Sequence, residues 1–222
     1  LAVLLLASFI TGLWQTLGRP PLRTMGETRL WYSFFAMISG LFTYLRWKYR
    51  WILSFSTMMS VMFTCINIFK PEIHSKTLMP ALQSPWFVPH VTVYMFAYAL
   101  MGAATLFAVY LWWKSSRSET ADQDLAVCDT LVRIGWAFLS LGMVMGALWA
   151  KEAWGDWWTW DPKETWAMAT WTSYLLYLHA RPHIKDKNIL FALLIFSFIL
   201  LQMCWWCVNY LPSAQGSVHV YN

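Results

Sequence analysis

Apolar residues in this chain come in blocks close to the length a lipid bilayer demands, and this constrains the fold more than any other feature. A spanning helix needs about 20 mostly apolar residues. Blocks near that size run over residues 1–17, 31–45, 51–69, 91–113, 134–150, 162–180 and 189–208. Backbone groups in lipid must be satisfied within the segment or in a closed barrel. The alternating pattern of a barrel strand is absent, so the expected fold is all-α: a polytopic integral membrane bundle of about seven spanning helices. Composition agrees, with 59% hydrophobic and 12% charged residues, against about 25% charged in an ordinary soluble domain. We expect one transmembrane domain over 1–222. Leu1 already lies inside an apolar run, so the chain reads as the later part, or one half, of something longer.

The formal net charge of +5 needs no nucleic acid, because cytoplasmic loops of membrane proteins collect Lys and Arg. Arg46, Lys48 and Arg50 fill one short loop, and Arg181, Lys185 and Lys187 another. Both are placed inside, with the mixed-sign linker 114–133. Loops 18–30, 70–90 and 151–161 and the C-terminal tail then fall outside. Arg19, Arg23 and Arg29, in the first outer loop, run against that charge rule. Cys65, Cys128, Cys204 and Cys207 suggest no disulfide framework. Cys204-Trp-Trp-Cys207 has redox-motif spacing but sits in an apolar run, where free Cys is usually a small buried residue.

One outer segment stands apart. Five of the thirteen residues from Trp154 to Trp166 are Trp. Tryptophan collects at membrane interfaces, and that accounts for Trp31, Trp47 and Trp112. The cluster has more structure. Asp161-Pro162 followed by Glu164 reads as a capping box with proline at the first helical position. If the piece before it is helical, Trp154, Trp157, Trp158 and Asp161 share one face. Such an aromatic patch suits a large, planar, apolar ligand. Interfacial packing and ligand binding both stay open on chemistry alone.

The pattern Trp-Gly-x-Trp-Trp-x-Trp-Asp-x-x-Glu-Thr-Trp is met by Trp154, Gly155, Trp157, Trp158, Trp160, Asp161, Glu164, Thr165 and Trp166. It resembles the WWD signature of haem-handling membrane proteins in cytochrome c biogenesis. The Pro-Lys-Glu-Thr-Trp continuation resembles the CcsA (ResC) branch, the membrane half of a cytochrome c synthase. The resemblance implies transient haem binding and thioether attachment to a Cys-x-x-Cys-His motif of apocytochrome c. It further implies a CcsB (ResB)-type partner or fused half, and an energy-transducing membrane such as the bacterial inner membrane, with the haem site on its outer side.

Five histidines are available: His74, His90, His179, His183 and His219. Neutral imidazole is a common iron ligand. His90 opens the fourth span and His219 lies in the tail, both on the side of the Trp cluster. They fit an axial pair on haem over an aromatic platform, or are two unrelated polar residues at loop ends. The resemblance favours the pair, since the family carries one outer His before a spanning helix and a second in a Leu-Pro-Ser…His-x-Tyr tail. It also carries a transmembrane His where His179 stands, implied to hold haem on the inner side opposite a His from the partner. His179 lies about 26 Å along the sixth helix from Pro162, so it cannot share one iron with the outer pair. His74 and His183 read as solvated. Arg19 and Arg23 are candidates for haem propionates or for lipid headgroups. Asp161 is a cap that could also serve the chemistry. Rival functions are a haem exporter or chaperone without ligation, a b-type electron-transfer subunit, and a haem-free structural or transport protein.

Overall fold

A computed structural model describes residues 1–22, 24–69, 81, 84–115, 122–215, 217 and 219. Arg23 and His74 lie outside the described residues. Among the described residues seven α-helices follow one another: α1 (Ala2–Leu17), α2 (Met25–Trp47), α3 (Arg50–Phe69), α4 (Phe87–Ser115), α5 (Asp122–Trp154), α6 (Pro162–Ala180) and α7 (Lys187–Trp205). Two 3₁₀ turns, Cys207–Tyr210 and Pro212–Ala214, begin the tail. The described residues contain no strand. By length and apolarity α3, α4, α5 and α7 can each cross a membrane, and α1 is apolar but 16 residues long. In α2 and α6 polar residues are turned inward, including Ser33, Ser39, Thr43, Glu164, Thr170 and Ser173. Their polarity faces protein, not lipid. The chain is an all-α membrane bundle.

The helices run alternately up and down. At one end, here the upper end, Tyr32 of α2 meets Phe63 of α3 and Trp205 of α7, and Tyr98 of α4 meets the same Trp205. At the lower end Tyr49, in the two-residue link between α2 and α3, donates to Asp124 of α5. There too Asp129 of α5 accepts from Tyr177 (2.7 Å) and Arg181 (3.0 Å) at the end of α6. The centre is built on α4, whose Ala97, Met101, Ala104, Phe107, Ala108 and Leu111 are sealed from solvent. Small residues let α5, α2 and α7 approach it closely.

Several boundaries differ from expectation: α2 begins at Met25, inside the expected outer loop 18–30, and both ends of α5 move. Residues 122–133 were expected in a solvated linker but form the first three turns of α5. Leu125, Cys128 and Val132 recur at helical spacing, and all are buried. Asp124 and Asp129 of that stretch pair with Lys114 and Arg181 instead of facing solvent, so charge alone misplaced the helix start. At the far end α5 runs to Trp154, where Gly155 at φ 92° turns the chain away. Residues 155–161 are therefore an irregular link, and the shared helical face expected for Trp154, Trp157, Trp158 and Asp161 does not form. The left-handed backbone at Gly155, and again at Trp160 (φ 58°), breaks helical propagation.

Candidate functional site

The upper end gathers the start of α4, the end of α5, the link to α6 and the tail. Asp161 caps α6 as expected. Its carboxylate accepts from the Lys163 N–H at 3.0 Å, with Pro162 in the first turn and Glu164 closing the capping box. Glu164 does more than close the box. Its Oε2 accepts from the Asp161 N–H (3.2 Å), the Thr159 N–H (2.8 Å) and the Thr159 hydroxyl (3.3 Å). One buried carboxylate thus fixes the chain on both sides of Trp160, whose strained backbone it helps to hold. Trp157 and Trp160 are 54% and 63% exposed, so each presents an apolar face outward. Trp158 packs edge-on against Trp160 with centroids 5.7 Å apart. Its indole N–H is buried and has no acceptor among the described residues. Such a donor costs about 1–3 kcal/mol unless something accepts from it.

His90 lies in the first turn of α4, which begins at Phe87, earlier than expected. Pro89 is tolerated there because first-turn N–H groups lack intrahelical partners. The ring of His90 rests on α5. Its Nδ1 is 2.8 Å from the Gly142 carbonyl oxygen, which can only accept, so Nδ1 carries the proton. A Cβ on Gly146, one turn further along α5, would stand 2.7 Å from His90 Cε1 and 2.9 Å from Nδ1. Gly142 similarly makes room for Tyr94, which packs against His90 with centroids 4.5 Å apart. The Gly142-x-x-x-Gly146 pair is a notch that seats the histidine.

His219 approaches from the tail. Its Nδ1 lies 3.1 Å from Asp161 Oδ1, and the same oxygen accepts from Ser217 Oγ at 2.9 Å. The side chains of His219 and Asp161 are only 12% and 7% exposed, so the pair is largely removed from water. Burial alone would raise the Asp161 carboxyl, but the hydrogen bonds from Ser217 and Lys163 and the neighbouring His219 outweigh it, leaving the group below its ordinary value. Burial lowers His219 more than Asp161 raises it, so the imidazole is held neutral below its ordinary range. Neutral with Nδ1 protonated, it keeps a lone pair on Nε2.

Trp149 joins the two histidines, and sequence reasoning missed it. Its indole lies 5.5 Å from the His90 ring and 5.7 Å from the His219 ring, centroid to centroid. It also packs on Phe87 (5.0 Å) and Trp154 (4.8 Å), and Trp154 packs on His219 at 4.6 Å. Its N–H donates to the Ala81 carbonyl at 2.7 Å. The glycine pair of α5 was the sequence signal that could have pointed to this face. The arrangement offers two imidazole lone pairs beside an aromatic wall.

Other candidates stand apart. His179 is at the lower end of α6, exposed, with Nδ1 3.0 Å from the Leu175 carbonyl. His183 is exposed in the following turn. Arg19 is at the upper end, but its guanidinium already forks onto Glu27 at 2.8 and 3.0 Å. Gly155 serves the turn after α5, and Trp166 is half-buried in the first turns of α6. Cys204 and Cys207 are free thiols, and Cys204 donates weakly to the Lys163 carbonyl at 3.6 Å.

Comparison with known proteins adds an independent line. The family model described as "Cytochrome C assembly protein" matches residues 22–214. Similar relatives include the "Cytochrome c biogenesis protein CcsA" of Oenothera argillicola, 30% identical over 266 aligned residues, covering 96% of this chain and 83% of the relative. The protein of the same name from Cucumis sativus is 32% identical over 258 residues, covering 91% and 80%. That from Chlamydomonas reinhardtii is 33% identical over 171 residues, covering 72% and 48%.

Proposed function

The chain belongs to the cytochrome c assembly protein family, with a role in cytochrome c biogenesis, and from that premise we propose that it holds haem at one membrane face for covalent attachment to apocytochrome c. The observation that carries the reading is the pairing of His90 and His219 around Trp149, each with Nδ1 engaged by an acceptor. Both Nε2 atoms then keep the lone pair that axial ligation of iron requires. Trp154, Trp157, Trp158 and Trp160 supply the aromatic surface for a porphyrin. The Trp158 N–H, without an acceptor among the described residues, suits a carboxylate or other acceptor on the ligand. Arg19 reaches a propionate only by exchanging Glu27 for it.

In this reading haem is substrate. Each thiol of a Cys-x-x-Cys-His segment adds across one haem vinyl group. A carbon–sulfur bond forms, the thiol proton goes to the other vinyl carbon, and no oxidant is consumed. The protein acts as a haem lyase chiefly by holding two partners in register, an effect that can supply several kcal/mol of rate. The domain 1–222 works with a CcsB (ResB)-type half in an energy-transducing membrane, with the upper end facing outward. His179, exposed near the other end, holds haem on entry together with a histidine from that half.

The test is covalent haem on a reporter. The full protein and its partner half are expressed with an apocytochrome bearing one Cys-x-x-Cys-His motif, and haem that survives denaturation is measured on the reporter. Wild type loads it, and His90→Ala and His219→Ala do not. Reporter loading that both variants leave unchanged contradicts the proposal. Bound haem in the membrane protein with no loading under any condition assigns export without ligation.

A further inference from the structure

Capping α6 asks of the Asp161 carboxylate only that it accept from first-turn N–H groups, and its Oδ1 does so from Lys163 at 3.0 Å. The same oxygen takes two more, from Ser217 and His219, both in the tail and more than fifty residues later. The His219 N–H in turn donates to Ser217 Oγ at 3.1 Å, so Ser217 and His219 close on the carboxylate together. His90 has a different partner, the neutral carbonyl of Gly142.

We propose that Asp161 is a positioning residue for His219: its carboxylate fixes the tautomer that leaves Nε2 to the iron and makes His219 the stronger donor of an unequal axial pair. The assignment rests on the haem-site reading above. An ionised carboxylate has no proton to give, so Nδ1 must donate. Carboxylate partners of metal-bound histidines fix ring orientation and raise ligand basicity, and losing one typically weakens metal binding or activity about 10–100-fold. A stronger imidazole donor favours ferric over ferrous iron. A carbonyl partner does this less, so His90 and His219 contribute unequally. The WWD segment and the tail histidine, far apart in the chain, thereby become one unit.

The experiment compares Asp161→Asn, Asp161→Ala and His219→Ala in the full protein purified with its partner half and loaded with haem. Asparagine still caps a helix and its oxygen still accepts, but the charge is gone. Asp161→Asn is expected to keep haem with low-spin bands and to become easier to reduce by about tenfold in the one-electron equilibrium, about 59 mV. Asp161→Ala is expected to retain haem about 10–100-fold more weakly, with added imidazole restoring the low-spin spectrum. In the haem-free protein, ¹⁵N spectra of labelled histidine should show His219 protonated at Nδ1 in the wild type. If His219→Ala alters the haem spectrum while Asp161→Asn leaves the potential at the wild-type value, Asp161 is a helix cap and the assignment falls alone. If His219→Ala leaves the spectrum unaltered, the haem site and this assignment fall together.

Discussion

Gly146→Ala places one methyl group against the His90 ring, where there is no room for it. The new Cβ would lie 2.7 Å from His90 Cε1 and 2.9 Å from Nδ1. Ordinary carbon–carbon contact begins near about 3.5 Å, so the ring must retreat by close to 1 Å. It has little freedom to do so, with Nδ1 tied to Gly142 and the ring packed on Tyr94 and Trp149. Overpacking of this kind costs about 1–3 kcal/mol, a loss that a bundle of seven helices can absorb. A misplacement of about 1 Å at a reacting centre can cost on the order of 100-fold in rate. We therefore expect a folded protein with a reduced low-spin haem fraction and reporter loading about 100-fold slower, with added imidazole restoring the spectrum. The control is the same substitution in a His90→Ala background, compared by unfolding stability, since that background does not load the reporter. With the ring gone the methyl group has nothing to strike, so the second change should add almost nothing, a strong departure from additivity. A wild-type spectrum in Gly146→Ala refutes the seat. So does a penalty that persists undiminished without His90.

Two further predictions follow from the same geometry. Glu164→Ala removes an acceptor shared by three donors and should lower stability by about 1–3 kcal/mol. Its effect should appear first as faster amide exchange at Thr159 and Asp161, whereas unchanged exchange there would contradict the pinning role. His219 and Asp161 are both lowered from 6.5 and 3.8, so unfolding takes up protons at each. The contribution of the tail clasp should be complete above about pH 6.5. It should fall as acidification passes that value for His219, and again below the ordinary carboxylate range for Asp161. Exchange protection of the His219 N–H in the haem-free protein, followed against pH, checks the direction.

Much of this was legible in the sequence. Each of the seven blocks holds a helix, and for α3, α4, α5 and α7 length and apolarity leave the backbone little choice in lipid. Asp161, Pro162 and Glu164 announced the start of α6, since capping depends on neighbours along the chain. The start of α5 was hidden because its charges read as solvated along the chain, whereas Asp129 is buried with Leu125, Cys128 and Val132 and its partner Arg181 lies 52 residues away. The link after Trp154 was misread as helical because spacing alone does not reveal the left-handed turns at Gly155 and Trp160. Trp149, the glycine notch and the Asp161–His219 pair were invisible for a different reason. Each depends on which elements meet in space, and one sequence carries no record of those meetings beyond the Gly-x-x-x-Gly spacing.

The central claim is that His90 and His219 together ligate one haem at the upper end of the bundle. The visible spectrum of the full protein, purified in detergent with its partner half, tests it most directly when wild type is compared with His90→Ala and His219→Ala. Wild type should hold low-spin haem, and each variant should show a changed spectrum that imidazole restores. Haem whose spectrum is indifferent to both substitutions would contradict the account and return the tryptophan segment to a role as a membrane anchor.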